Sequence, residues 1–289
     1  MSALPSEHGW RARLALAYDV AGARTRLARR EHVGPLLVQR AFYPECLSTL
    51  GDAGPCHTYI IHPPGGVVSG DELTLEVEVG PAAHALLTTP AAGKFYRRRE
   101  RRVASLTQSL SVRDGTLEWL PQENIYYPDS VASVHTVVRL AGRARFLGWE
   151  LNCYGLPANG LDLGDGEIRQ RFELWHDDRP VLLERTSIDR SALAARWGLA
   201  GRVAAGTLMI YPATGAHLER ARTLVDAMTV DAATDPTIDI ACTRVDNALC
   251  CRGIAARVDR LKQAFSDLWC ALRPAVIGRE ASPPRIWLT

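Results

Sequence analysis

The sequence predicts a mainly β fold: an antiparallel stacked-sheet or β-helix-like scaffold with two or three helices in its C-terminal third. Two observations predict it. Over roughly the first 210 residues, turns rich in Gly, Pro and Asp recur about every 8–12 positions between short segments of alternating apolar and polar side chains, as in all-β proteins. Toward the C-terminus, apolar residues recur instead at the three- and four-residue spacing of amphipathic helices.

A chain of 289 residues is long enough to bury a large core, and we expect one domain over residues 1–289. Neither an internal repeat nor a low-complexity linker divides the sequence. Within this domain we expect a β-rich part at 8–212, a helix-containing part at 213–275 and an extended tail at 276–289.

The first strands are expected at residues 10–20, 25–30, 36–40 and 56–62, where apolar side chains of one parity share a face. Beyond them, short turns separate further strand-like segments, and we expect each turn to close an antiparallel hairpin. The expected hairpins join 72–79 to 83–89, 106–112 to 116–120, 134–140 to 144–151, and 167–175 to 180–185.

Three later segments have helical spacing. Ser191 and Thr214 are expected to cap the first two helices, and Pro274 is expected to stop the third. The helices are expected at residues 191–197, 214–228 and 254–272. A further strand is expected at 237–243, the start of the last helix at 248–251, and an extended end at 282–289.

The composition excludes several classes of function. A net charge of +2 argues against nucleic-acid binding, and no apolar run approaches the roughly 20 residues of a membrane-spanning helix. Charged residues also interrupt the N-terminal segment, where a signal peptide would be apolar. We therefore expect no nucleic-acid or membrane partner and a cytoplasmic location. Seven cysteines without a two-residue spacing predict free, mostly buried thiols.

Residues 62–96 combine a glycine-rich turn, a strand and a lysine. The glycines suggest a phosphate loop, but no Gly-Lys-Ser/Thr follows them and the chain enters a strand, so a structural turn is favoured. Lys94 is expected to be a structural or partner-facing charge. The sequence also contains neither a Gly-x-Ser-x-Gly elbow nor a His-Glu-x-x-His motif, and no nucleophile with an oriented base is visible in it.

Acidic residues mark the strand at 72–79. Glu72, Glu76 and Glu78 share one face, which either is solvated or passes a divalent cation along the row. Asp71 lies in the preceding glycine turn, where an aspartate is typically buried and hydrogen-bonded.

A metal-dependent hydrolase is the alternative to a non-catalytic function. His57 and His62, with Cys56, form the one local cluster of metal-binding residue types in the sequence. Glu118 on a strand and Glu123 on a loop would act as an acid–base pair beside them. This alternative predicts tight metal binding and turnover of a substrate by the isolated chain.

Three sequence blocks resemble the urease accessory protein UreD (UreH) family, and the resemblance covers nearly the whole chain. It begins at the strand WRARLALAYDV, and its specific blocks include TTPAAGKFYR. Ser69 departs from the family pattern, which often has another glycine there, and Ala92-Gly93 replaces a more usual Ala-Thr. The three blocks are HPPGGVVSGDELTLEVEVGPAAHALLTTPAAGKFYR, LEWLPQENIYY and LRPAVIGREASPPRIWLT.

The resemblance implies a function that periodicity alone does not reveal. It implies a non-enzymatic, mainly β scaffold that joins UreF and the GTPase UreG, binds apo-urease and helps to deliver nickel. No cofactor would be tightly bound, because nickel passes in transit along an internal, water-filled path. A dimer of heterocomplexes formed through UreF is one arrangement that the resemblance implies. A plain assembly module without a metal path is a further alternative.

A protein that passes Ni²⁺ onward needs separated carboxylates rather than a closed four-ligand cage. On this reasoning the residues expected to line a transient nickel path are Asp71, Glu76, Glu118, Glu123 and Glu173. The amphipathic region 214–272 is expected to dock on UreF, since an apolar stripe suits a helical partner.

Overall fold

The chain passes repeatedly between two stacked β-sheets. The computed structural model describes residues 9–45, 54–99, 102–231 and 238–288. The strands in chain order are β1 (Arg11–Ala21), β2 (Arg24–Val33), β3 (Leu37–Val38), β4 (Cys56–Ile61), β5 (Glu72–Val79), β6 (His84–Thr88), β7 (Gly93–Phe95), β8 (Ala104–Arg113), β9 (Thr116–Trp119), β10 (Asn124–Tyr126), β11 (Val131–Ala141), β12 (Arg145–Tyr154), β13 (Glu167–His176), β14 (Arg179–Ile188), β15 (Ala204–Tyr211), β16 (Ile238–Val245) and β17 (Ala248–Ala255). The helices are α1 (Arg190–Ala194), α2 (Gly215–Asp231) and α3 (Val258–Ile277).

Parallel pairing dominates the middle of both sheets. The first sheet has the strand order β14-β13-β11-β8-β5-β1-β2, and β13, β11, β8, β5 and β1 pair in parallel. The second sheet runs β16-β17-β15-β12-β9-β6-β4-β3, with β12, β9, β6 and β4 parallel, and β10 and β7 extend it from β12. The chain thus winds between two sheets as in a β-helix, which confirms the predicted mainly β, stacked fold.

Three of the four predicted hairpins are wrong. The strands on either side of Gly80, Asp114 and Gly142 join different sheets, so these turns are corners of the winding and not hairpin loops. Successive corners stack closely: the Ala82 amide donates to the Asp114 carbonyl, and a Cβ at Gly115 would lie 2.5 Å from the Gly80 carbonyl oxygen. The antiparallel part of the prediction therefore fails for these strands, because turn chemistry does not specify which sheet the next strand joins.

The fourth predicted hairpin is confirmed. β13 and β14 pair antiparallel across Asp177 and Asp178, both of which have positive φ angles (46° and 59°), as the favoured two-residue hairpin turn requires. Antiparallel pairing also joins β1 to β2 and β12 to β15, which places it at the ends of the winding.

The helices were predicted in number and order, but their ends differ. Asp189, not Ser191, caps α1, since its carboxylate accepts from the Ala192 amide at 2.8 Å. Residues 248–254 belong to strand β17, and α3 begins only at Val258. Pro274 lies inside α3 and does not stop it; the helix ends at Gly278, whose φ of 74° is left-handed.

Two apolar cores hold the layers together. One lies between the two sheets, and the other lies between the second sheet and the helices, with Trp149 and Trp269 at its centre. The tail, predicted to be extended, ends in a 3-10 turn over Arg285–Leu288. Trp287 of this turn contacts both tryptophans, with ring centroids 5.6 and 5.9 Å apart, so the tail closes the second core.

Candidate functional site

Two clefts enter the gap between the sheets, and Glu150 lines both of them. The Trp197 cleft has a volume of about 780 Å³ and is lined by Glu184, Trp197 and Arg252, among others. The His62 cleft has a volume of about 520 Å³ and includes His62 and Lys94. Since Glu150 lines both clefts, the two clefts together are a candidate path through the interior of the scaffold.

Strand alternation on β12 directs Glu150 into this gap. Leu147, Trp149 and Leu151 face the helices, whereas Phe146 and Tyr154 belong to the core between the sheets. Glu150 has the parity of the second set and therefore points toward the first sheet.

Glu150 is held by polar side chains of the opposite sheet. Thr136 Oγ1 lies 2.5 Å from Glu150 Oε1 and 2.8 Å from Gln108 Oε1. The pKa of Glu150 is raised to about 7, chiefly by burial; the hydrogen bond with Thr136 opposes this rise and the charge of Glu184 adds to it. A protonated Glu150 donates to Thr136, whose single hydroxyl hydrogen then goes to Gln108.

Neutral oxygens continue from Glu150 along the gap. Tyr154 Oη donates to Gln170 Oε1 at 2.7 Å, and Tyr126 Oη lies 3.3 Å from Asn152 Oδ1. Burial raises the pKa of both tyrosines well above 10, so the phenols stay neutral. This part of the wall therefore places amide and phenol oxygens beside the Glu150 carboxylate.

A cross-sheet ion pair lies in the Trp197 cleft. Arg252 on β17 donates from Nε to Glu184 Oε1 on β14 at 2.8 Å, which bridges the two sheets. A cation that enters this cleft therefore meets a carboxylate already paired with a guanidinium.

Two loops form the mouth of the His62 cleft. Gly66 packs against Tyr96, and a Cβ at Gly66 would lie 2.2 Å from Tyr96 Cε2, so only glycine fits there. Burial lowers the pKa of His62, which favours a neutral imidazole at neutral pH. Lys262 donates to Gln122 at the same mouth, and burial lowers its pKa.

The chain matches known proteins over nearly its full length. Residues 10–288 match the model of the UreD urease accessory protein family. The chain belongs to the UreD urease accessory protein family. It is 42% identical over 293 residues to the urease accessory protein UreD of Aliivibrio fischeri (strain MJ11), covering 98% of each chain. It is 38% identical over 288 residues to UreD of a Klebsiella pneumoniae strain (99% of this chain, 97% of the relative), and 40% identical over 290 residues to that of an Azoarcus strain (98% and 96%).

UreD proteins are urease maturation factors rather than catalytic enzymes, as the sequence predicted. Among the described residues, no helix combines the length and the apolar character that crossing a membrane requires.

The structure separates the five carboxylates that the sequence proposed for a UreD nickel path. Glu76 and Glu173 lie on the outer face of the first sheet, where Arg13 Nε donates to Glu76 at 2.9 Å and Trp175 Nε1 donates to Glu173 at 2.8 Å. Asp71 is buried and accepts from the backbone amides of Trp10 (2.8 Å) and Val68 (2.9 Å), as predicted. It therefore fastens a turn.

Glu118 lies behind the second sheet, in a buried cluster with α3. Arg273 Nη2 donates to Glu118 at 2.9 Å and to Glu45 at 2.6 Å, and Trp269 and His84 also contact Glu118 at 2.7 Å each. Burial acts to raise the pKa of Glu118, but His84 and Arg273 outweigh it and hold that pKa well below its usual range. The carboxylate is thus ionised and fully paired.

The residues named for a hydrolase do not form an open metal site. His57 is buried with Nε2 at 3.0 Å from Glu45, in the cluster that Arg273 fills, whereas His62 lies in a cleft. Glu123 is a half-buried loop residue whose charge acts on Lys262. Within the described residues, no group of three or more His, Cys, Asp or Glu side chains could hold a metal ion.

None of the five proposed carboxylates lines the described walls of either cleft, and their role in a nickel path stays a prediction. The sequence analysis missed Glu150, Glu184 and Arg252. A signal for Glu150 was present, because it is the one charged residue within the apolar run FLGWEL on a strand buried on both faces.

Proposed function

We propose that this chain is a cytoplasmic scaffold for urease maturation that binds UreF, UreG and apo-urease and passes Ni²⁺ to urease through the gap between its sheets. Membership of the UreD urease accessory protein family supports the maturation function. The observation that supports the internal path is the position of Glu150, an ionisable carboxylate that lines both clefts.

The wall chemistry suits a cation in transit. Separated carboxylates with neutral amide and phenol oxygens offer a divalent ion weak, exchangeable ligands, whereas a closed set of thiolates or imidazoles would retain it. A carboxyl group with a pKa of about 7 also gives up its proton at little cost when a cation arrives.

The partners contact different parts of this scaffold in the proposal. α2 and α3 cover one face of the second sheet and present the layer that docks on UreF. The large outer face of the first sheet, with its exposed ion pairs, stays available to apo-urease. Two such complexes, joined through UreF, form a dimeric assembly. Light scattering tests this arrangement by measuring the mass of the assembly.

Nickel transfer into apo-urease tests the internal path. The complex of this chain with UreF and UreG is mixed with apo-urease and Ni²⁺, and nickel bound per urease active site is measured after removal of free metal. Glu150→Gln keeps the size and the hydrogen bonds of the side chain but removes its charge, so we expect a several-fold slower transfer through an intact complex.

Glu76→Gln is the matched control, since it removes a carboxylate from the outer face of the same scaffold. We expect it to transfer nickel like the wild type. Normal transfer by Glu150→Gln would overturn the internal path and favour a plain assembly module. Impaired transfer by Glu76→Gln alone would move the path to the outer face of the first sheet.

A further inference from the structure

Two cysteines face each other across the strand pair β16–β17. Cys242 and Cys251 are register partners, and their sulfur atoms lie 3.0 Å apart in a thiol hydrogen bond. Both are reduced. Directly opposed residues on antiparallel strands have Cα atoms about 4.5–5.5 Å apart, within the range of about 4.4–6.8 Å that a disulfide spans.

Among the described residues, strand alternation separates this pair from the neighbouring thiol of Cys250. Cys242 and Cys251 belong to the core beneath the helices, together with Ala221 and Val225 of α2. The neighbouring Cys250 has the opposite parity and packs in the core between the sheets. Since strand alternation directs Cys250 away, Cys251 is the partner within reach of Cys242.

The two thiols differ in reactivity. The hydrogen bond with Cys251 lowers the pKa of Cys242, and the nearby charge of Arg222 lowers it further, although burial and Asp226 oppose this. Cys242 is 7% exposed and Cys251 is fully buried, so a small oxidant reaches Cys242 first.

We propose that Cys242 and Cys251 are a redox modification site that a hydroperoxide converts into a reversible disulfide. The Cys242 thiolate attacks one oxygen of hydrogen peroxide; the S–O bond forms as the O–O bond breaks, and the leaving hydroxide takes up the proton of Cys242 to become water. The Cys251 sulfur then attacks the sulfenic acid, the S–S bond forms, and the second oxygen leaves as water with the proton of Cys251.

The disulfide would fix the edge of the second sheet. β16 is the outermost strand there and pairs only with β17 among the described strands, and α2 packs on it. Oxidation therefore ties the strand that carries α2 to the interior of the sheet. Formation of this disulfide does not depend on nickel transfer, so the redox proposal and the proposed function can be tested separately.

Peptide mapping tests the proposal on the full-length chain. The reduced protein is treated with hydrogen peroxide, alkylated in denaturant and digested with trypsin, which cleaves after Arg244 and Arg252 and so separates the two cysteines. We expect a cross-linked pair of peptides that is lost on treatment with dithiothreitol. Recovery of both peptides fully alkylated, at a peroxide concentration that oxidises the half-buried Cys270, would overturn the proposal.

Three variants assign the bond. Cys251→Ser is expected to abolish the cross-link, whereas Cys250→Ser and Cys270→Ser are expected to retain it. A cross-link that persists in Cys251→Ser would show that Cys250 is the partner and would contradict the geometry. The peptide map of the wild type does not depend on the folding of any variant. Circular dichroism checks that each variant folds.

Discussion

Glu150 is an ionisable residue in largely apolar surroundings. A carboxylate between two apolar sheet faces loses solvation that its neighbours Thr136 and Gln108 replace only in part, which is why its pKa rises to about 7. The protein retains an ionisable group where a glutamine would fit.

Glu150→Gln should stabilise the protein in a pH-dependent way. The pKa is raised from 4.5 to about 7 on folding, so the stabilising contribution is complete below pH 4.5 and is lost as the pH rises through 7. We expect the variant to match the wild type at pH 5 and to exceed it by about 2 kcal/mol at pH 8 in urea unfolding. An equal difference at both pH values, or the same trend in Glu76→Gln, would contradict this.

Arg273 is a second residue on which the free energy of unfolding depends strongly. It is fully buried and is the cation between Glu118 and Glu45, so its removal leaves two paired carboxylates without their partner. We expect Arg273→Ala to lower the free energy of unfolding by about 3–5 kcal/mol, although alanine favours the helix. Adding Glu118→Gln should recover part of the loss.

Arg26→Ala provides the comparison for Arg273, because its partner Asp19 is exposed. Removal of this surface pair should change stability by less than about 1 kcal/mol. Equal losses in the two variants would mean that burial of the Arg273 cluster does not set its energy.

Among the elements, the segment after α1 presents an unusual surface. Trp197 is 79% exposed at the rim of its cleft. Exposed tryptophans are enriched at the centres of protein interfaces, because they bury a large area with few rotatable bonds.

Trp197→Ala should leave the fold intact and weaken a complex. We expect the melting temperature to stay unchanged, since the ring contributes little to the core, and the affinity for apo-urease or UreF in sedimentation or pull-down titrations to fall at least several-fold. Val33→Ala is the control: Val33 is 66% exposed on β2, at the other end of the first sheet. Equal loss of affinity in both variants would mean that the effect is not specific to Trp197 and would contradict the prediction.

The elements also show how far the sequence alone could predict this structure. Alternation located β1, β4, β5 and β13 closely, and two adjacent aspartates identified the β13–β14 hairpin, because both signals are local. Parallel pairing joins residues from 28 to 61 positions apart in sequence (Ala104 with Ala132, and Leu14 with Leu75), and turn residues carry no information about it. The candidate site was missed for the same reason, since Glu150 meets Thr136 only through the stacking of two sheets.

At the scale of the whole molecule, three layers assign different chemistry to the two faces of the second sheet. One face meets the first sheet across a gap that holds Glu150, neutral oxygens and the Arg252–Glu184 ion pair; the other meets α3 across a core closed by Trp287 and the Arg273 cluster. The carboxyl group of Glu150 thus titrates in front of the sheet, whereas the Glu118 carboxylate behind it stays ionised in an ion pair.

This division predicts how nickel transfer depends on pH under the proposed function. Between pH 8 and pH 6 Glu150 takes up a proton, so the wild-type scaffold should come to behave like Glu150→Gln. Urease, UreF and UreG titrate identically in both reactions, and the ratio of the two transfer rates cancels their effects. We expect a ratio of wild type to variant that is several-fold at pH 8 and approaches one at pH 6. A ratio that stays constant over this range would mean that the charge of Glu150 does not guide the ion through the scaffold.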